Sequence, residues 1–235
     1  PEWVAAGKKS AMDYAKEKVD DILANYQNAV PEDKEEELDR ILEEAGSSLD
    51  SKLLTERIIT TPSHYAYLKV SEGCNRTCSF CAIPLMRGLH RSHPLDELVR
   101  EAASMGAQGV KEINIVSQDT TWYGRDRRRS DPGEPLLPDL LRALVADTDI
   151  AWFRLFYMYP SGITRELVEL LASESKLLPY LDMPLQHGSD AILKAMRRPE
   201  RRATIRERVG WLREAVPHLT LRTTVIVGFP GETEE

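Results

Sequence analysis

Cys74, Cys78 and Cys81 are the only cysteines in 235 residues, and they fall in one short run, Cys-Asn-Arg-Thr-Cys-Ser-Phe-Cys. Thiolates are soft, strongly donating ligands, which suits iron–sulfur clusters. Three of them leave one iron of a four-iron cluster without a protein ligand. An open iron can bind and break a small molecule, whereas a closed four-cysteine site mostly carries electrons or holds a fold. The short spacing lets one loop wrap three corners of a cubane, with Phe80 and Ile83 placed to shield it from solvent. The competing readings are a structural zinc site that takes His90 or His93 as fourth ligand, or three buried or merely reactive thiols. Zinc knuckles favour paired Cys-x2-Cys units, and reactivity alone does not call for clustering. Clustered cysteines do not make a disulfide framework and point to a reducing compartment, hence the cytoplasm.

Such a loop needs a rigid scaffold, and the pattern from His64 onward supplies alternating strands and helices. Strands are predicted at Tyr65–Val70, Glu112–Val116, Trp152–Tyr157, Tyr180–Met183 and Leu219–Val227. Helices are predicted at Pro94–Met105, Leu136–Val145, Ile163–Ala172, Asp190–Met196 and Thr204–Ala215. Five strands separated by helices imply an α/β fold with a parallel sheet and right-handed crossovers, either open and doubly wound or closing toward a barrel. In both, ligands bind beyond the C-terminal ends of the strands. The cysteine loop, Ser117-Gln118-Asp119, Tyr159-Pro160, Gln186-His187 and Gly228-Phe229-Pro230-Gly231 all follow predicted strands, so they are expected on one face.

Residues 1–50 read differently. Met12, Ala15, Val19, Ile22, Leu23 and Tyr26 recur at helical steps, and a second helix is predicted from Pro31 to Gly46. This helical hairpin and linker is set apart from a core at 58–235. It also holds the acidity. Residues 1–50 carry 14 acidic and 6 basic side chains, while the remainder has 24 against 25. The core therefore has no basic bias pointing to nucleic acid. The run Arg125–Arg129 reads as a solvated loop. No apolar stretch approaches the roughly 20 residues of a membrane span.

Cys74-x3-Cys78-x2-Cys81 after a strand, followed by further βα units, resembles the radical S-adenosylmethionine superfamily. The resemblance implies a partial (β/α) barrel whose open iron chelates S-adenosylmethionine. Reductive cleavage there gives a 5′-deoxyadenosyl radical that takes hydrogen from an unreactive carbon. Tyr65-Ala-Tyr-Leu-Lys-Val-Ser-Glu-Gly-Cys74, Ile83-Pro-x-x-Arg87-Gly88 and Val227-Gly-Phe-Pro-Gly-Glu-Thr233 look like the methylthiotransferases. Ile115-Val-Ser-Gln-Asp-Thr120, with Tyr123-Gly124, and Leu178-Pro-Tyr-Leu-Asp-Met-Pro-Leu-Gln-His187 resemble the RimO-like branch, whose substrate is an aspartate β-carbon in small-subunit ribosomal protein twelve. A transfer RNA methylthiotransferase is the nearest alternative. A zinc-stabilised module or an inert fragment is the alternative of another class.

Members of this branch also carry an N-terminal domain with three further cysteines and a C-terminal β-barrel. This sequence has neither, so the chain is expected to be a C-terminally truncated core that cleaves S-adenosylmethionine without inserting sulfur. Residues 1–46 instead resemble, weakly, the C-terminal tail of trimethylamine methyltransferases. A reducing electron donor is implied, and nucleic acid only through the ribosome.

The resemblance assigns Cys74, Cys78 and Cys81 to a 4Fe-4S cluster. It sets Ser117 and Gln118 where the superfamily binds the methionyl amino group, although a plain turn after a buried strand fits them as well. Arg222 pairs with the methionyl carboxylate, or else structurally with Asp119 or Asp182. Gln186 and His187 line the pocket, His187 reading more as a structural histidine than as a proton carrier. Gly228 and Gly231 admit close approach of adenine or ribose, or are turn glycines. Glu232 holds a hydroxyl or begins a helix. No general acid–base pair is needed, because the cofactor supplies the chemistry.

Overall fold

A computed structural model of the chain describes residues 59–233 and, upstream, Asp21 alone. The hairpin expected over residues 1–50 lies outside the described residues, apart from Asp21, which is helical. The chain divides into units Pro1–Leu53 and Leu54–Glu235, and the sheet and the site belong to the second.

In chain order, β1 (Tyr65–Lys69) is followed by β2 (Ser71–Glu72), helix α1 (Ile83–Arg87), β3 (Arg91–Ser92) and α2 (Leu95–Ala107). Then come β4 (Glu112–Val116), α3 (Leu137–Asp147), β5 (Trp152–Leu155), α4 (Arg165–Ser173) and β6 (Leu177–Asp182). Helices α5 (Asp190–Ala195) and α6 (Arg202–Ala215) precede β7 (Thr220–Arg222). The main sheet is parallel, in the order β1-β4-β5-β6-β7. Each new strand joins the same edge. A doubly wound sheet would reverse its order at a switch point. None occurs among the described strands, so the sheet is singly wound, as in a partial (β/α) barrel.

Strand alternation sorts the two faces. Leu68, Ile113, Ile115, Phe153, Leu155 and Leu181 are buried in one core with Leu98 and Met105 of α2, Leu140 and Leu144 of α3, and Leu167 of α4. Each such side chain stabilises the fold by about 1.5–3 kcal/mol relative to exposure. Several alternate residues that face the other way are polar, among them Glu112, Asn114 and Arg154. Arg154 Nε reaches Glu112 Oε1 at 2.7 Å and its guanidinium lies 4.7 Å from the Tyr180 ring centre. Helix starts follow local chemistry: Thr164 Oγ1 accepts from the Leu167 N–H at 3.2 Å to cap α4.

Only β4 keeps its expected bounds: β1 ends one residue and β5 two residues earlier than the sequence reading, and β6 and β7 differ more. β6 begins three residues earlier than expected, at Leu177, because the ladder resumes across an irregularity: Phe153 pairs with Leu177 and Leu155 with Leu181. Pro179, without an N–H, lies in that gap. The run Leu219–Val227 forms only a three-residue strand, then one further bridge, Val225 with Gln186. Gln186 has a left-handed backbone (φ 69°), which a regular ladder excludes. Val227 is 80% exposed. The hairpin β2–β3 and helix α1 have too few residues for periodicity to reveal.

Candidate active site at the cysteine loop

The loop carrying the cysteines is closed at its base by antiparallel pairing of Ser71 with Ser92 and of Glu72 with Arg91. Ser92 is held in turn by Asp126, which accepts from its N–H at 2.9 Å and its hydroxyl at 2.6 Å. Just inside the base the two chains nearly touch. Gly73 has φ 75°, and a Cβ there would sit 2.3 Å from Leu89 O. That contact lets the Cys74 N–H donate to Gly88 O at 3.1 Å. The far side of the loop is tied to the end of α5. Ser79 donates through its N–H to Met196 O and through its hydroxyl to Ala195 O, both at 3.0 Å. Helix α5 ends in a Schellman turn, with Arg197 at φ 56° and the Arg198 N–H donating to Leu193 O at 2.9 Å.

Cys74 and Cys78 are buried and Cys81 is half-buried. Cys74 Sγ accepts the Arg76 N–H at 3.4 Å. Burial pushes the Cys74 thiol up, so the ligand-free side chain keeps its proton, and binding a metal there must release it. Cys78 Sγ lies 3.8 Å from the Tyr159 hydroxyl and 3.9 Å from Arg198 Nη1. Burial pushes the Tyr159 phenol far up, so it remains a hydroxyl. Its ring is flanked by two guanidiniums, Arg198 at 3.9 Å and Arg76 at 4.8 Å. Arg76 also lies over Trp122 and pairs with buried Asp119 at 3.0 Å, whose other oxygen accepts from Thr121 Oγ1 at 2.5 Å.

The donor set is three thiols on one loop, the soft ligands that an iron–sulfur cluster takes. His90 Nε2 is turned to Ser92 Oγ at 3.2 Å and to Asp126 at 3.9 Å, while its Nδ1 is buried without a hydrogen-bond partner. A cubane gives each thiolate its own iron, so three thiols spaced around one loop suffice. Two donors aimed at the Cys78 sulfur also suit a sulfur that carries negative charge.

The other predicted residues lie at the C-terminal ends of the same strands. Ser117 is buried, and its hydroxyl donates to Thr120 Oγ1 at 3.3 Å. Beside it Gln118 Oε1 is buried without a hydrogen-bond partner, an acceptor left open. Arg222 pairs with Asp182 Oδ1 at 2.8 Å, so of the two carboxylates considered for it the structure selects Asp182 and gives Asp119 to Arg76. Gln186 continues the sheet through its backbone, its N–H donating to Thr224 O at 2.9 Å. His187 Nδ1 accepts from the Ser189 N–H at 2.9 Å, which leaves Nε2–H to donate to Glu232 at 3.1 Å. Both ring nitrogens are thus engaged within the chain. Glu232 also accepts from the Phe229 N–H at 3.0 Å and so closes the turn containing Gly228 and Gly231. Both glycines have positive φ, and nothing lies within 4 Å of where a Cβ would stand. An open cleft of about 810 Å³ borders His187, Ser189, Arg202, Gly231 and Glu232, with no cysteine in its lining. The run Arg125–Arg129 is partly anchored, through Arg127 to Glu134 at 3.0 Å and through Asp126 to the loop base.

The family model described as the Radical SAM superfamily matches residues 68–235, taking in the cysteine loop and β4 to β7. The chain belongs to the radical SAM superfamily. Among curated relatives of this radical SAM chain, the ribosomal protein uS12 methylthiotransferase RimO of Flavobacterium johnsoniae is 48% identical over 201 residues, 85% of this chain and 45% of that protein. The RimO of Sorangium cellulosum is 52% identical over 180 residues, 76% of this chain and 37% of that protein. The chain thus spans less than half the length of the curated relatives it matches. Residues 58–235 are only about three-quarters of the sequence, so the Flavobacterium match reaches upstream of Ile58, beyond the motifs read above. Among solved structures, the radical S-adenosylmethionine methyltransferase TsrM from Kitasatospora setae, with a tryptophan substrate and an S-adenosylmethionine analog, has TM-score 0.53 and 19% identity over 76% of this chain and 35% of that chain. The cobalamin-dependent enzyme OxsB has TM-score 0.53 and 12% identity over 68% and 23%. These likenesses show the radical SAM fold alone.

Sequence reasoning did not single out Arg76, Tyr159, Arg198 or Glu200. Tyr159 was visible only as a residue following a strand, and Arg198 sits in Arg-Arg-Pro-Glu-Arg-Arg, which reads as a solvated charge run.

Proposed function

We propose that this chain is the radical S-adenosylmethionine core, over residues 58–235, of an enzyme that methylthiolates an aspartate β-carbon in small-subunit ribosomal protein twelve. The single observation behind this reading is the identity of about half to uS12 methylthiotransferases, 48% over 201 residues and 52% over 180. The enzyme works in the cytoplasm, where ribosomes are, with a reducing donor protein supplying electrons.

Cys74, Cys78 and Cys81 hold a 4Fe-4S cluster. Bound there, such a cluster would supply the single electron needed for reductive cleavage of S-adenosylmethionine. The chain's own residues bind and orient. The hairpin β2–β3 and the α5 end fix the loop from both sides. Gln118 offers its open Oε1 as acceptor for the methionyl ammonium, beside Ser117. Arg222 reaches the methionyl carboxylate only by loosening its pair with Asp182, while Gln186 and the turn at Gly228 and Gly231 border the nucleoside side. Leu85, Met86 and Leu89, more than 70% exposed beside the loop, offer apolar surface to close the site against water.

The test is anaerobic reconstitution with iron and sulfide, reduction, and addition of S-adenosylmethionine, with 5′-deoxyadenosine as readout. Cleavage that is lost in Cys78→Ala supports the core reading, and zinc uptake with no cluster sinks it. For the substrate, a deletion strain complemented with the full-length gene is scored for a methylthio group on the ribosomal protein. Modification of transfer RNA adenosine instead would transfer the chain to the other branch.

A further inference from the structure

Arg198 is the most deeply buried cation near the loop. Its side chain is 1% exposed, as is that of Glu200. A guanidinium is seldom fully buried without a task for each nitrogen. Here Nη1 lies 3.9 Å from Cys78 Sγ, Nη2 donates to Pro184 O at 3.1 Å, and Nε is 3.2 Å from Glu200 Oε2, too poorly aligned for a hydrogen bond. The face of the fork packs on Tyr159, whose hydroxyl is the second donor at the same sulfur. Glu200 is held in place by the Ser161 hydroxyl at 2.9 Å. The backbone is committed to this arrangement too. A non-glycine residue, Arg197, takes the left-handed position that turns Arg198 inward. The same turn binds Ser79, the residue after Cys78.

We propose that Arg198 and Tyr159 are built-in donors to the Cys78 sulfur that set how readily the cluster on this loop accepts its electron. Glu200 opposes them from the far side of the guanidinium. The inference rests on the reading of the loop as a cluster carrier. Reduction adds one electron and no bond within the protein changes. The added negative charge is shared by the cysteine sulfurs, so a fixed cation and a hydroxyl donor at one of them favour the reduced form and raise the potential. Burial keeps solvent and salt from screening the effect. Cys74, by contrast, receives only a backbone N–H. Arg198 is thus a positioning and tuning residue that acts through Cys78.

The full chain is reconstituted with iron and sulfide as wild type, Arg198→Met, Arg198→Lys, Glu200→Gln and Tyr159→Phe. Each is titrated by mediator-poised potentiometry with electron paramagnetic resonance of the reduced cluster. Arg198→Met should shift the one-electron equilibrium at least tenfold against reduction, which is about 59 mV lower. Arg198→Lys should recover part of that, and Tyr159→Phe should shift it a few-fold in the same direction. Glu200→Gln should move it the opposite way. A structural role for the pair predicts that Arg198 and Glu200 variants move together. Shifts of the same sign, or none beyond twofold, overturn the proposal. If Arg198→Met does not fold, the opposed signs of Glu200→Gln and Tyr159→Phe decide. Failure of the wild type to take up iron and sulfide would instead overturn the cluster reading on which the proposal stands.

Discussion

Replacing Gly73 by alanine should damage the cysteine loop without touching a ligand. Gly73 has φ 75°, and left-handed backbone costs a non-glycine residue about 1–2 kcal/mol. The new Cβ would also stand 2.3 Å from Leu89 O and 2.7 Å from Gly88 O, so the two arms of the loop must part. Parting them loosens the Cys74 N–H to Gly88 O bond, worth about 1 kcal/mol net. The sum is about 3 kcal/mol, or roughly 6–12 °C in Tm for a domain of this size. Gly109→Ala is the control. That position also has positive φ, 95°, but nothing lies within 4 Å of its would-be Cβ. Strain alone should cost it about 1 kcal/mol, roughly 2–4 °C. The assay is thermal unfolding by circular dichroism of the metal-free chain, followed by iron content after reconstitution. Gly73→Ala should lose iron and Gly109→Ala should retain it. Equal Tm losses and equal iron in the two variants would refute the argument that close approach, rather than backbone strain, shapes the loop.

Arg76→Ala strips the partner from Asp119, a carboxylate 2% exposed, and should destabilise the fold by about 3 kcal/mol in urea unfolding, because the charge left behind is buried; a change below 1 kcal/mol would mean Thr121 alone satisfies it. Glu72 gives a pH signature: burial pushes its carboxyl up, but hydrogen bonds from Lys69, Arg87 and the Gly73 N–H outweigh that and bring it from 4.5 down to about 2. Its stabilising contribution is therefore complete above pH 4.5, fades as pH falls toward 2, and is gone below, so Glu72→Gln should flatten the stability profile in that window and nowhere else. Gln118→Ala removes a buried oxygen that has no partner, so stability should change by less than about 1 kcal/mol, while calorimetry on the reconstituted chain should find S-adenosylmethionine bound about tenfold more weakly. Unchanged affinity would return Gln118 to a purely structural place in the turn.

The sequence by itself determined the cysteine triplet, the βα alternation and the family motifs, because each is a local property. Ligand spacing is fixed by covalent geometry, and the core faces of β1, β4 and α2 to α4 show as periods of two and 3.6. Element ends were less legible where a neighbour decides them, as at β7, where pairing with β6 stops at Arg222 and a strongly β-branched run regains only one bridge, Val225 with Gln186. Only the tertiary structure chose Asp182 over Asp119 for Arg222 and turned His90 toward Asp126. Only it buried Arg198 and Glu200, two members of a run of charges that any local pattern assigns to solvent. The physical reason is separation along the chain. Cys78 and Arg198 are 120 residues apart, and what a charge costs or contributes depends on the partners that folding brings to it, which a local pattern does not contain.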